Sequence, residues 1–259
     1  MKTTNLSFVI VLTVVSAVAQ AKVDMNRGGV GFLYQDFNGI TNPGHFAKPR
    51  TYAAEGSYVR GGSSLTTYGM SLGLGMGQFG FGAFGNMYSS VAGGNTLSAG
   101  GAVGIDVVKD RFNVGASFVK GLSSSSSSLA AASMVVTPSG MSGVALGFGA
   151  TTTLGTVTAT RNVTAALGVG SRSGLSGEVN ATAHTLSDLS NIEAAGFVNW
   201  SNNSIYLGTG FNYYLSSKSH LVEARVGFIF PRLDFSFFGS TSFSSGSSMT
   251  YGTAVRSTF

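Results

Sequence analysis

The chain has 259 residues, no cysteine and a formal charge of +5, and Asp, Glu, Lys and Arg together make up only 10% of it, against about 25% in ordinary soluble domains. That leaves no disulfide framework and no thiolate chemistry, and basic residues that stand singly rather than in a patch argue against nucleic acid as a partner. With 19 Phe and 9 Tyr it is too aromatic for a disordered chain, so its apolar groups must be buried or covered by lipid.

The first element is a leader. Lys2 supplies a positive start, Leu6 to Val18 form a nearly unbroken apolar run, and Ala19-Gln20-Ala21 closes it as an A-x-A cleavage site. Roughly a dozen apolar residues are too few to cross a ~30 Å hydrocarbon core. Residues 1–21 are therefore expected to be a signal peptide cleaved near Ala21. Residues 22–49 follow and do not read as clean strand, although Val30-Gly-Phe-Leu-Tyr-Gln could form one. They end near Asn42-Pro43-Gly44, a turn by its own chemistry, because Pro43 fixes φ and Gly44 permits a positive φ.

From about residue 50 the pattern becomes regular, with segments of about ten residues alternating apolar with small or polar ones. The expected strands run 50–60, 64–75, 78–88, 95–108, 111–120, 128–137, 141–153, 156–169, 174–185, 191–201, 204–215, 220–230, 232–240 and 249–259. In the eleventh, Ile205, Leu207, Thr209, Phe211, Tyr213 and Leu215 share one face, and Tyr206, Gly208, Gly210, Asn212 and Tyr214 the other. In the twelfth, Val222, Ala224, Val226, Phe228 and Phe230 point outward and Glu223, Arg225 and Gly227 inward.

No later segment approaches the ~20 apolar residues of a spanning helix. In lipid, every backbone group needs an internal partner, and a closed barrel gives strands one. A β-sandwich would show the same alternation; the leader and the chain end favour an all-β, antiparallel transmembrane barrel. Even parity gives fourteen strands, or twelve if one hairpin is dropped. Compact turns at Lys109-Asp110, Pro138–Gly140, Asn202-Asn203 and Pro231-Arg232 then share the side of the termini. The Ser/Gly-rich connections near 88–94, 121–127 and 240–248, with short ones at Gly61-Gly62 and Leu154-Gly155, fall on the other. Gly73, Gly75, Gly77, Gly80, Gly82 and Gly85 read either as room in the lumen or as relief of curvature.

The last segment alternates to a terminal aromatic, with Tyr251, Val255 and Phe259 on one face. Here the chain resembles bacterial outer-membrane barrels, whose final strand ends in an aromatic residue for the assembly machinery. The resemblance implies an outer-membrane location, with membrane lipid and that machinery as partners. Asp36, followed by Asn42-Pro43-Gly44, resembles an early motif of the long-chain fatty-acid transporter (FadL-like) barrels. That likeness implies about fourteen strands at 50–259 preceded by a hatch, residues 22–49, folded into the lumen, with Asn42, Pro43 and Gly44 as its motif. On the residues alone, an ordinary turn reads as well.

Catalysis finds little to work with. The histidines are His45, His184 and His220; His184, expected inward with Glu178 and Thr182, is the one catalytic candidate, and no nucleophile–base or metal-ligand spacing accompanies it. No enzyme activity, cofactor or metal is expected. The charged residues expected inside are Glu55, Glu178, Glu193, Glu223, Arg225, Asp234 and Arg256, either bridging one another or selecting solutes by charge. The expected function is passive transport, as a porin or FadL-like channel for small solutes, hydrophobic ones included. The alternative is a structural or surface-interaction barrel with a plugged lumen.

Overall fold

The computed structural model describes residues 43, 53–61, 65–90, 94–109, 111–122, 127–139, 143–155, 159–170, 174–185, 191–202, 204–243 and 249–258. Residues 1–21, expected to be a leader, and Asn42, Gly44, His45 and Phe259 lie outside the described residues.

Fourteen strands make up almost everything described: β1 (Ala53–Gly61), β2 (Leu65–Met76), β3 (Phe79–Ser90), β4 (Gly94–Val108), β5 (Phe112–Gly121), β6 (Ser128–Val136), β7 (Val144–Leu154), β8 (Arg161–Gly170), β9 (Gly174–Ala183), β10 (Ile192–Ser201), β11 (Ile205–Tyr214), β12 (Ser219–Ile229), β13 (Leu233–Ser242) and β14 (Met249–Thr258). Each pairs antiparallel with its chain neighbours, and β1 pairs with β14 from Ala53↔Thr258 to Gly61↔Thr250, which closes the barrel. Closure leaves no edge strand to template aggregation. The twelve-strand alternative is thereby excluded.

The Ala53↔Thr258 pair puts the start of the first strand and the end of the last at one rim, the near rim. The hairpin turns foreseen at Lys109-Asp110, Pro138–Gly140, Asn202-Asn203 and Pro231-Arg232 lie there, and the connections after β1, β3, β5, β7, β9, β11 and β13 lie at the far rim. Local chemistry sets these turns. Gly77 opens the Gly77-Gln78 hairpin at φ 65°, a conformation that costs a side-chain-bearing residue. Asn202 Oδ1 accepts the N–H groups of Ser204 (2.8 Å) and Ile205 (2.7 Å), an Asx turn between β10 and β11.

Most boundaries fall within three residues of the sequence expectation; the start of the eighth strand differs by more. The eighth strand begins at Arg161, not near 156. Gly155 takes φ 79°, and the Thr160 N–H donates to Thr153 Oγ1 (2.8 Å), which brings the two sides of the β7–β8 connection together at the far rim. The connection expected over 88–94 shrinks to 91–93, because β3 runs on to Ser90 and β4 begins at Gly94.

Period two then separates two faces. Outward stand Tyr68, Met70, Leu72 and Leu74 on β2, Leu207, Phe211 and Tyr213 on β11, and Phe235 and Phe237 on β13, all exposed, Met70 at 73%. Inward stand residues such as Thr67, Ser71, Asn86, Asn113, Ser117, Ser133, Asn199 and Asn212, all buried. This is a globular protein turned inside out: apolar outside, polar inside.

Candidate functional site

The lumen wall is the concave, polar surface of the molecule, and all seven charged residues singled out from the sequence lie on it. Glu55, Glu178, Glu193, Arg225, Asp234 and Arg256 are buried, and Glu223, half-buried, shares the face of Arg225 and Gly227 on β12. Asp106 belongs with them, buried on β4 opposite Asn113. Sequence parity places it inward too, since Val103, Ile105 and Val107 face out, so the signal was present and unused.

The registers gather these charges into two groups. Near the rim of the chain ends, Arg256 stands directly between Glu55 of β1 and Asp234 of β13, positions whose Cβ atoms in antiparallel pairs are about 4.5–5.5 Å apart. Toward the far rim a polar band spans β8 to β12. Asn212 Nδ2 donates to Glu193 Oε1 (2.7 Å), His184 Nε2 meets Glu193 Oε2 at 3.1 Å, and Tyr214 also hydrogen-bonds Glu193. Asn180 Nδ2 donates to Glu178 Oε1 (2.7 Å), and the hydroxyls of Thr164 and Thr182 share a 2.9 Å bond. Glu223 lies within electrostatic reach of Arg225, Glu193 and Glu178. The partner of His184 is thus Glu193 rather than Glu178, and its ring stacks on Tyr214 with centroids 6.3 Å apart. His220 faces outward at the far rim, between the rings of Phe211 (5.9 Å) and Phe243 (5.3 Å). Among the described residues, no three of His, Asp and Glu are placed to hold a metal ion.

Glycines organise the same half of the wall in a way the sequence does not announce. Phe197 of β10 faces Gly210, Tyr206 of β11 faces Gly227, and Phe238 of β13 faces Gly252. In each case the ring lies where a Cβ on that glycine would be; at Gly210 the added carbon would stand 2.6 Å from Phe197 Cε1 and 2.8 Å from Glu223 Oε1. The missing side chain lets an aromatic ring lie flat on the wall instead of projecting into the lumen. Tyr206 is completely buried in this way, with the Arg225 guanidinium 5.2 Å from its ring centroid.

The opposite wall, β2 to β7, is lined mainly by small, uncharged residues, with Asp106 its one charge among the described residues. Gly73, Gly75, Gly80 and Gly82 of the early glycine run face inward, paired Gly73↔Gly82 and Gly75↔Gly80. Gly77 is in the turn and Gly85 faces outward, so the run is not one lumen feature. Phe84 packs on Ala102, Val119 and Leu129, and Val135 with Ala166 on Ala145. The lumen is therefore two-sided: one half is lined by small, mostly uncharged residues with apolar clusters at Phe84 and Val135, and the other carries most of the charges and the wall-lying aromatic rings.

No family model and no curated protein matches the sequence. The solved structures do. The Ralstonia pickettii toluene transporter TbuX superposes with a TM-score of 0.62 over 89% of this chain and 94% of that one, at 11% identity. The P. putida toluene transporter TodX gives 0.61 over 89% and 95%, at 10% identity. The chain shares its fold with the toluene-transporter barrels. The KdgM porin follows at 0.52, over 80% of this chain and 99% of that one, at 10% identity. The likeness anticipated from Asp36 and Asn42-Pro43-Gly44 is thus a likeness of architecture, carried by the fourteen strands.

Proposed function

We propose that this chain is an outer-membrane transport barrel that passes small solutes, apolar ones included, through a lumen occupied by its N-terminal segment. The membrane part rests on the outward face: contiguous exposed apolar surface far beyond the few hundred Å² that soluble monomers tolerate is at home only in lipid. Among the described residues no helix is long and apolar enough to cross a membrane; strands do the crossing.

The observation that carries the lumen reading is the burial of its bare half. Eight strands already make an interior that side chains can fill, and fourteen enclose a wider one. Yet Gly73, Gly80, Gly104, Ser117, Ala131 and Ser133 are buried, although none carries a side chain that could reach across such a lumen. Something covers them, and the residues before β1 are suited to it. Pro43 is itself buried to less than 2% exposure. Residues 22–52 carry Lys22, Arg27, Lys48 and Arg50 against Asp24 and Asp36, while the described lumen wall carries six carboxylates against two guanidinium groups, so the charges complement each other. In a chain without cysteine, a Pro43→Cys variant inserted in vesicles should react slowly with a membrane-impermeant thiol reagent; labelling as fast as that of Lys218→Cys would remove the hatch from the account.

The apolar clusters around Phe84 and Val135 favour a neutral, apolar solute, in keeping with the toluene for which the two transporters that share the fold are named. Vesicles carrying the chain should take up a neutral aromatic hydrocarbon faster than a small charged solute of the same size. Equal, background-level uptake of both would favour the plugged structural barrel, the reading that the same burial supports if the segment never moves.

A further inference from the structure

Charge is segregated on this barrel. All six described carboxylates, Glu55, Asp106, Glu178, Glu193, Glu223 and Asp234, lie on inward positions. Of the basic residues, Arg60, Lys120, Arg161 and Lys218 are exposed at the far rim. At the rim of a lipid-facing wall such a guanidinium reaches the headgroup level, and with no carboxylate beside it among the described residues, the lipid headgroups are the nearest source of counter-charge. Arg60 shows the arrangement best. It is the last residue but one of β1, faces outward, and is paired directly with Tyr251 of β14 and Thr66 of β2. Tyr58, two residues along the same face, is opposite Tyr68 and Thr253, with the Tyr58 and Tyr68 rings 5.5 Å apart.

Arg60 thus shares its outward face with three tyrosines and two threonines on directly or diagonally adjacent positions, all of them able to donate hydrogen bonds and none an anion. Guanidinium groups favour phosphate because their fork matches two of its oxygens, and tyrosines sit at the headgroup level of a bilayer. Resting on the membrane-spanning reading above, we infer that Arg60, with Tyr58, Tyr68, Tyr251 and Thr66, forms a seat on the outer wall for the phosphate of a lipid in the leaflet at the far rim. The apolar wall below the seat, with Met70, Leu72 and Val255 exposed on it, takes the acyl chains, and Lys120, Arg161 and Lys218 extend the anion-attracting rim around the barrel.

The test uses the full exported chain refolded in vesicles, with insertion checked by protease protection, and then transferred to micelles for native mass spectrometry against diphosphoryl lipid A and the same lipid with its phosphates removed. The diphosphoryl lipid should remain bound and the dephosphorylated one should not. Arg60→Gln should weaken retention about fivefold, the share of one basic contact at an anionic surface, and Arg60→Lys should restore part of it. Tyr251→Phe, which removes only a hydroxyl, should also weaken it and serves if Arg60→Gln does not fold. Insertion with equal retention of both lipids, or equal retention by wild type and Arg60→Gln, would overturn the seat while leaving the barrel intact. A chain that does not insert would overturn both.

Discussion

Replacing Gly227 by alanine tests the idea that the lumen glycines exist to lay aromatic rings against the wall. A Cβ at Gly227 overlaps Cζ, Cε1 and Oη of Tyr206 and meets no backbone atom among its nearest contacts. Tyr206 is fully buried with Arg225 over its ring, so the ring can leave the wall only by displacing that guanidinium. Overpacking of this kind costs about 1–3 kcal/mol. If the clash with the ring is the whole cause, the sign reverses in a Tyr206→Ala background, because an unhindered glycine in a strand is worse than alanine by roughly 0.5–1 kcal/mol. The comparison residue is Gly100, where an added Cβ meets Phe118 O and Val119 Cα, backbone that no side-chain truncation can move. Gly100→Ala should therefore stay destabilising in a Val119→Ala background. The assay is urea unfolding of the vesicle-inserted barrel, read as a double-mutant cycle. Additivity of Gly227→Ala and Tyr206→Ala would refute the reasoning.

Further outcomes follow from the two faces and the near-rim charges. Leu72→Arg places a charge on the outward wall midway along β2 and should lower stability in lipid by about 2–4 kcal/mol, measured by the same unfolding. Arg256→Met leaves Glu55 and Asp234 flanking the vacated position, and truncating one partner of a buried charge group costs about 3–5 kcal/mol; adding Glu55→Gln and Asp234→Asn should recover part of the loss. Trp200, the one tryptophan in the chain, is outward and 40% exposed, so lipids brominated on their acyl chains should quench its fluorescence strongly, whereas unchanged emission would place that face out of the bilayer.

Much of the fold was legible because the period-two pattern is a local property: each strand announces its faces in its own ten residues, and the turns at Asn202 and Pro231 carry their own chemistry. The start of β8 was not, since the sequence from 156 alternates acceptably, and the contacts between Thr153 and Thr160, with Gly155 at positive φ, are tertiary features that alternation does not announce. Pairing is the information a single strand lacks. Nothing in Tyr206 or Gly227 alone says that one covers the other, and nothing in Arg60 says that Tyr251, far along the chain, stands beside it. The lumen positions of the seven charges followed from parity; the sorting of Arg256 with Glu55 and Asp234, and of Glu193 with His184 and Asn212, needed the register.

Planar-bilayer recording of the refolded chain tests the central claim most directly. A transport barrel with a displaceable segment in a fourteen-strand lumen predicts discrete, intermittent conductance steps from chains shown to have inserted. A silent bilayer from inserted chains, together with no uptake of an apolar solute, would contradict it.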